Sequence, residues 1–371
     1  MSPIRLQHSE NPFFLKEQII TYLGNKRSLL PFINTAVTDI KQRLHKRKLR
    51  CADLFSGSGI VARYFKQHAS ALYVNDLEAY AEVINACYLT NRSEVDFPLL
   101  QEELRHLENQ IRAECLPGFI TELYAPRNDL KIHPGERVFF SHQNALYLDT
   151  ARKLLDTLPL QNKYFFLAPL LYEASVHNNT SGVFKGFYKN KAGIGCFGGE
   201  GKHALNRILG AIQLRLPLFS DFECDVSITK HDINSLVKQL PELDLVYLDP
   251  PYNQHPYGAN YFMLNLLTHY QKPLHISPVS GIPVDWNRSL YNKRQFAKES
   301  LFEVINACPS RFILISYNAE GFITYDEIQS FLTSLGKLSI FTKEYNTFRG
   351  CRNLHSRALH VAEYLFLLER K

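Results

Sequence analysis

Short apolar runs alternate with helix-like segments at the beginning of the chain. Residues 51–55 and 71–75 are compact and apolar, and each precedes a segment rich in Ala, Tyr and Leu. This alternation predicts a βαβ unit that opens a parallel sheet. Further apolar runs predict strands at residues 225–229, 243–248, 311–316, 338–342 and 361–368. The last two are near one another in sequence and could close the sheet as an antiparallel pair.

A long stretch between the second predicted strand and residue 225 does not continue the alternation of strands and helices. Such a break in an α/β pattern predicts an inserted domain. We therefore expect a catalytic domain made of residues 1–96 and 223–371, with an inserted region at residues 97–222.

Basic residues and glycines are concentrated in the second half of this insertion. Residues 175–220 carry six lysines and arginines against the single acid Glu200, and include the string GVFKGFYKNKAGIGCFGGEG. A basic, glycine-rich loop with aromatic residues suits close approach to a phosphate backbone. An ordinary solvated loop is the alternative. A second basic cluster, within residues 41–50, is more typical of a solvated helix end than of a DNA contact.

Composition narrows the class of protein only slightly. The net charge of +6 and the pI of about 8.8 are compatible with a polyanionic partner, but they are also common elsewhere. The seven cysteines form no CxxC pair, which favours reduced thiols and argues against a zinc site. No apolar stretch approaches the ~20 residues that cross a bilayer, and the N-terminus lacks the apolar core of a signal peptide. A cytoplasmic protein without a metal is expected.

The most informative string is DLVYLDPPY, residues 244–252. An apolar strand leads directly into Asp249, Pro250, Pro251 and Tyr252, so this tetrapeptide is expected at the carboxyl end of a parallel strand, where open α/β sheets bind ligands. The two prolines stiffen the turn and remove two N–H donors. The turn is therefore a rigid cluster of hydrogen-bond acceptors beside an aromatic ring.

Methylation of an aromatic amine requires such a cluster. The N6 lone pair of adenine is delocalised into the ring, and hydrogen bonds from the amino protons to the Asp249 carboxylate and the Pro250 carbonyl would free it to attack. Tyr252 would stack on the base, which must leave a duplex before its amino group can react. No covalent enzyme intermediate is required.

A second constellation suits a nucleoside-type cofactor. Gly57 and Gly59 in DLFSGSG, residues 53–59, allow close approach to a ligand, and Asp76 follows the next strand, where an acid commonly accepts hydrogen bonds from ribose hydroxyls. Plain turn chemistry and a helix N-cap are the alternatives. Asp232 could bind the adenine of the cofactor or cap a helix. Lys26 could meet a carboxylate or face water, and the residues alone favour a solvated lysine.

Together these motifs resemble the Dam-like, D12 class of N6-adenine DNA methyltransferases, and especially the modification enzymes of restriction–modification systems. Five strings carry the resemblance, in the order found in that family: TYLGNKRSLL, DLFSGSG, VNDLE, KHDIN and DPPY. The resemblance covers most of the chain, and the shared order makes it more specific than any single motif. It implies an α/β fold, namely a Rossmann-like methyltransferase sheet with an inserted target-recognition domain.

The resemblance also implies the partners and the residues that bind them. S-adenosylmethionine is the expected cofactor and double-stranded DNA the expected substrate of a monomer, with a cognate restriction endonuclease acting separately. The target adenine would be held by Asp249, Pro250, Pro251 and Tyr252. The cofactor would be surrounded by Tyr22, Gly24, Lys26, Asp53, Phe55, Ser56, Gly57, Gly59, Asp76 and Asp232. DNA contacts would come from Lys185, Lys189, Lys191, Tyr257 and Tyr261.

The expected reaction is a direct in-line displacement in which the N6 nitrogen attacks the sulfonium methyl group. An RNA adenine methyltransferase could use the same catalytic turn. A protein-glutamine methyltransferase is less consistent with the sequence, because those enzymes resemble NPPY rather than DPPY. A non-catalytic DNA-binding module with a vestigial pocket is a further alternative, against which the intact Asp249, Tyr252, Gly57 and Asp76 argue.

Overall fold

A computed structural model describes residues 9–346 and 360–370 of the chain. Its centre is a seven-stranded sheet in the order β3-β2-β1-β4-β5-β7-β6. The first five strands in this order run parallel, and β7 lies antiparallel between β5 and β6. The strands are β1 Leu49–Asp53, β2 Ala69–Asn75, β3 Asp225–Thr229, β4 Leu243–Leu248, β5 Ser310–Asn318, β6 Gly336–Asn346 and β7 His360–Arg370. The predicted Rossmann-like sheet and its antiparallel end are confirmed.

Strand bounds differ from the sequence-based expectation mainly where apolar character fades at the ends. The first strand is two residues earlier than expected and ends at Asp53, so Phe55 belongs to the loop that follows. The last two strands each extend beyond their apolar centres, because they pair with one another along eleven residues of each strand.

Thirteen α-helices flank and extend the sheet within the described residues. They are α1 Leu30–Leu44, α2 Ile60–Lys66, α3 Ala79–Tyr88, α4 Phe97–Ala113, α5 Phe119–Tyr124, α6 His142–Leu155, α7 Leu160–Val176, α8 Leu205–Ile208, α9 Ile233–Leu236, α10 Tyr257–Asn260, α11 Phe262–His269, α12 Arg294–Ala307 and α13 Tyr325–Leu335. Short 3-10 helices lie at Lys26–Leu29, Arg92–Glu94, Val237–Gln239 and Leu290–Asn292. None of these helices is long and apolar enough to cross a membrane.

Alternate residues of the central strands supply two separate hydrophobic cores. In β5, Phe312 and Leu314 pack with α1 and α2 on one face, whereas Ile313 and Ile315 pack with α12 and α13 on the other. This follows from the two-residue period of a strand, and it explains why the central strands read as continuous apolar runs.

The helices of residues 97–222 do not form a core of their own. They share one hydrophobic cluster with α3 and α11, in which Tyr80, Leu148, Leu170 and Met263 are buried together. The stretch from α7 to β3 contains only the short helix α8 and an isolated bridge between Lys189 and Gly195. The division into a catalytic and a recognition region remains a prediction.

Candidate active site

An open cleft of about 890 Å³ lies at the carboxyl ends of four adjacent parallel strands, β3, β2, β1 and β4. Parallel strands that end at one edge bring the residues that follow them together, which is why ligands bind there. Twelve of the residues selected from the sequence line this cleft, namely Tyr22, Gly24, Lys26, Asp53, Phe55, Ser56, Gly57, Asp76, Asp232, Asp249, Pro251 and Tyr257.

A hydrogen bond between Gly57 and Asp76 connects the turn after β1 to the turn after β2. The Gly57 N–H donates to Asp76 Oδ2 at 2.7 Å, and the Glu78 N–H donates to Asp76 Oδ1 at 2.9 Å. Gly57 has a φ of +50°, and a Cβ at this position would lie 2.7 Å from the Tyr22 ring. Helix α3 begins at Ala79 with Glu78 as its cap, so Asp76 orders the turn without being the N-cap that was the alternative. Gly59, which does not line the cleft, is instead the cap of α2 with a φ of +75°.

Asp53 lines the cleft with a carboxylate that has no strong partner. Its side chain is buried, and neither oxygen makes a hydrogen bond of ordinary geometry to the described part of the chain. Burial raises its pKa well above the ordinary range, and the negative charges of Asp249 and Asp76 raise this pKa further, while backbone amides lower it less. A buried acceptor of this kind is suited to a cationic or hydrogen-bond-donating ligand.

Two aromatic rings that contact each other also line the cleft. Phe55 and Tyr291 meet edge to face, with ring centroids 5.1 Å apart. Asp232 lies beside them and accepts the Ser235 N–H at 3.2 Å, which makes it the N-cap of α9, as one of the two interpretations predicted. The sequence did not single out Tyr291, because it lies in a short 3-10 helix without a recognisable motif.

The catalytic turn follows β4, and its aspartate forms an ion pair with Lys26. Lys26 Nζ is 3.2 Å from Asp249 Oδ1 and 2.8 Å from Glu363 Oε1, and the lysine is buried, which contradicts the solvated interpretation based on its residue type alone. Burial lowers the pKa of Lys26, but the two carboxylates outweigh this effect and raise it above the ordinary value. Burial raises the pKa of Asp249 to about 7, although Lys26 lowers it.

Tyr252 ends this turn and is half-buried. Its ring meets Tyr317 edge to face at 6.0 Å, and its carbonyl accepts the Phe322 N–H at 2.8 Å. The turn is therefore tied to the loop after β5, and the ring is held by packing.

Tyr257 and Tyr261 pack around Tyr22 at the cleft. Tyr22 stacks on Tyr257 at 5.0 Å and on Tyr261 at 4.7 Å. The Tyr261 hydroxyl accepts the Leu23 N–H at 2.6 Å, and this tyrosine has no exposed surface. The structure therefore corrects the expectation that Tyr261 contacts DNA, because a fully buried ring cannot reach a duplex.

Arg63 of α2 fixes the segment that leads to Tyr22, a role that sequence reasoning missed. Its guanidinium donates to the carbonyls of Phe14, Glu17 and Gln18 at 2.8 to 3.1 Å. It also stacks 3.6 Å above the Tyr88 ring. An arginine that is buried against backbone carbonyls distant in sequence has no sequence signature, because a residue of any type can supply such a carbonyl.

The three lysines selected for DNA binding lie outside the cleft. Lys185 is exposed, Lys189 lies over the Phe187 ring at 5.0 Å, and Lys191 is 90% exposed and 3.8 Å from Glu200. Phe184 anchors this loop beside the cleft, since its N–H donates to the Asn260 carbonyl of α10 at 2.7 Å. The basic cluster at residues 41–50 is at the opposite edge of the sheet, where Lys46 pairs with Asp244 at 2.7 Å.

Comparison with known proteins identifies the class. The model of the D12 class N6 adenine-specific DNA methyltransferases matches residues 22–275, and the chain belongs to this family. It is 29% identical to the type II methyltransferase M.NlaIII of Neisseria lactamica, over 95% of this chain and 99% of that protein. It is 28% identical to M.CviAII of Paramecium bursaria Chlorella virus 1, over 94% and 98%. It is also 27% identical to M.FokI of Planomicrobium okeanokoites, of which it spans 52%. The reaction is therefore N6 methylation of adenine in DNA.

Proposed function

We propose that the cleft binds S-adenosylmethionine and that the enzyme methylates an adenine flipped out of duplex DNA. The residues present fit this cofactor. Asp53 would offer buried acceptors to its ammonium group, Asp76 would accept hydrogen bonds from ribose hydroxyls, and the Phe55–Tyr291 pair would pack against an adenine ring. When bound, S-adenosylmethionine supplies an activated methyl group. The orphaned Asp53 carboxylate is the observation that supports this assignment most strongly.

Asp249 and Pro250 would receive the amino group of the target adenine. One oxygen of Asp249 faces Lys26, which leaves the other to accept an N6 proton. Pro250 and Pro251 cannot donate, so the turn presents acceptors to the base. These acceptors are already oriented for the transition state, so they need not reorganise during the reaction. This preorganisation accounts for most of their contribution to the rate.

Transfer of tritium from labelled S-adenosylmethionine tests this function directly. Duplex DNA should become labelled, whereas RNA and a sample without nucleic acid should not. Digestion of the product to nucleosides should place the label on N6-methyladenine. Label in RNA but not in DNA would overturn the proposal for duplex DNA.

A role in restriction–modification is supported by the relatives, which are named type II methyltransferases and modification methylases. In such a system the enzyme would act as a monomer on the host genome, and a separate endonuclease would cut unmodified DNA. Methylation-sensitive sequencing of DNA from cells that express this chain alone should reveal one modified sequence.

Replacing Asp76 with alanine should weaken binding of S-adenosylmethionine by about 1–3 kcal/mol, because charge-assisted hydrogen bonds to the ribose are removed. Calorimetry without DNA measures this effect. Asp326→Ala, at an exposed position in α13, is the matched control and should bind normally. If Asp76→Ala binds S-adenosylmethionine as tightly as the wild type does, Asp76 has only its structural role in the turn.

Two groups of cationic side chains flank the cleft at the surface and suit a DNA backbone. Lys185, Lys189 and Lys191 lie in the loop that Phe184 anchors beside α10. Arg288, Lys293 and Arg294 lie on the segment whose Asn292 donates to the Asn253 carbonyl of the catalytic loop at 2.8 Å. These three pair with no carboxylate in the described ranges and rest on the rings of Trp286, Phe296 and Phe322. We propose that the duplex lies across the cleft between the two groups.

Replacing either group with three alanines should flatten the salt dependence of DNA binding, measured as the slope of log Kd against log salt concentration. The expected change is roughly 0.9 for each phosphate that the variant no longer neutralises. The methylated sequence should stay the same, because phosphate contacts carry no base information. The control removes Lys238, Lys272 and Lys298, exposed lysines that pair with glutamates at 2.7 to 2.9 Å, whereas Lys191 is 3.8 Å from Glu200. A slope equal to that of the wild type would identify the group concerned as a solvated surface.

A further inference from the structure

Glu363 is a buried carboxylate that contacts Lys26 without lining the cleft. It lies on β7 with no exposed surface. Its Oε1 is 2.8 Å from Lys26 Nζ and also accepts a hydrogen bond from the Ser316 hydroxyl of β5. Lys26 therefore lies between two carboxylates, Glu363 behind it and Asp249 at the cleft.

We propose that Glu363 is a positioning residue for methyl transfer: it holds the Lys26 ammonium from behind, so that Lys26 fixes one oxygen of Asp249 and leaves the other for the target amino group. This inference rests on the proposed role of Asp249. Glu363 touches neither DNA nor cofactor, and it acts through Lys26.

The arrangement has a physical rationale. If Asp249 were the only partner of Lys26, the whole positive charge of the lysine would act on that carboxylate. Asp249 would then be a weaker acceptor for the amino protons. Glu363 shares the same ammonium. It also restricts a side chain that otherwise has many rotamers, because the ammonium is bound on two sides. A buried carboxylate is costly unless it is paired, and the Lys26 ammonium supplies that partner here.

Several described groups that face Asp249 set its charge balance. Burial raises its pKa to about 7, Lys26 lowers this pKa, and Glu363 raises it. Asp53 faces it from β1 as a second acid. The phenols on this side are Tyr247, Tyr252 and Tyr257. Loss of the negative charge of Glu363 should therefore lower the pKa of Asp249, and loss of Lys26 should raise it.

The test compares Glu363→Gln with the wild type in single-turnover methylation across pH, at saturating cofactor and DNA. With a pKa near 7, the wild-type rate at pH 6 should be roughly one tenth of its plateau. The acid limb is the part of the pH profile in which the rate falls as the pH is lowered. In Glu363→Gln this limb should move to lower pH, so that the ratio of the rate at pH 6 to the plateau rate rises about threefold. The plateau rate itself should fall several-fold. Affinities for cofactor and DNA should remain within about twofold of the wild type.

Glu369→Gln is the matched control. This glutamate is on the same strand and pairs with Arg43 and Arg311, away from the cleft, so its loss should leave the pH profile unchanged. Lys26→Met should move the acid limb in the opposite direction, to higher pH. Thermal unfolding of each variant establishes that it is folded, and Glu363→Asp, which keeps the charge, serves if the glutamine variant is not. The aspartate variant should keep the acid limb near that of the wild type.

A folded Glu363→Gln variant with the wild-type acid limb and plateau would overturn the inference and leave Glu363 as a structural ion pair. The outcome is separable from that of the proposed function. Loss of activity in Asp249→Ala together with an unshifted Glu363→Gln would reject only the role of Glu363. An active Asp249→Ala variant would reject both.

Discussion

Asp249→Ala should reduce methyl transfer by about 10³-fold or more while leaving the binding of S-adenosylmethionine nearly intact. The carboxylate is at the end of β4 facing the cleft, where it can accept an amino proton of the target base as the nitrogen becomes tetrahedral. Removing one such preorganised partner typically costs 10²- to 10³-fold, and here the missing charge also leaves Lys26 unbalanced beside the reacting nitrogen. Single-turnover methylation and calorimetry without DNA separate the two effects.

Asp244→Ala offers a control on the same strand. Asp244 accepts the Arg50 N–H and pairs with Lys46 at the opposite end of β4, so its loss can weaken the fold but cannot touch the cleft. It should retain near-normal turnover. Turnover near that of the wild type in a folded Asp249→Ala variant would mean that another group activates the amine.

The positions of the strands were predictable because a buried strand is recognisable from the residues within it. Residues 312–315 are buried on both faces of the sheet, so the strand appears as an unbroken apolar run. The cofactor turn was predictable for a related reason, since Gly57 and Asp76 each directly follow a strand end and the parallel topology brings those ends together. Local pattern and the general rule for parallel sheets were sufficient for both.

The environment of Lys26 was beyond that reasoning. Its two partners follow β4 and lie on β7, distant in sequence, and nothing near Lys26 in the chain indicates that it is buried. Glu363 lies in a strand whose sequence, outside this position, is mainly apolar, where an acid is easily taken for a solvent-facing residue. Only the antiparallel placement of β7 next to β5 turns it inward to Ser316.

For Tyr261 the sequence suggested a contact with DNA that the burial of this residue excludes. An aromatic residue after a catalytic turn is a reasonable candidate for contact with a base, but Tyr261 is at the junction of α10 and α11 and packs into the cluster shared by α3 and the insertion. Its hydroxyl is satisfied by the Leu23 N–H, which the sequence cannot indicate because a backbone donor exists at every residue except proline.

Tyr252→Ala should lower kcat/KM for DNA methylation by roughly 10²-fold, because stacking of an aromatic ring on an extruded base contributes about 1–3 kcal/mol and also excludes water from the reacting amine. Tyr252→Phe should lose far less. The ring is held by its edge-to-face contact with Tyr317, and its hydroxyl makes no hydrogen bond to the rest of the described chain. The phenyl ring can therefore occupy the same position.

Fluorescence of 2-aminopurine at the target position distinguishes a loss of base flipping from a loss of chemistry. The base should be less populated outside the helix in Tyr252→Ala than in Tyr252→Phe, since only the alanine variant lacks the surface that stabilises the extruded state. Tyr317→Phe is a useful companion: its hydroxyl accepts the Ile323 N–H, so this change perturbs the supporting loop while keeping both rings. Equal activity of the alanine and phenylalanine variants at position 252 would show that the ring does not stack on the target base, and would leave its packing on Tyr317 as a structural contact of the loop after β5.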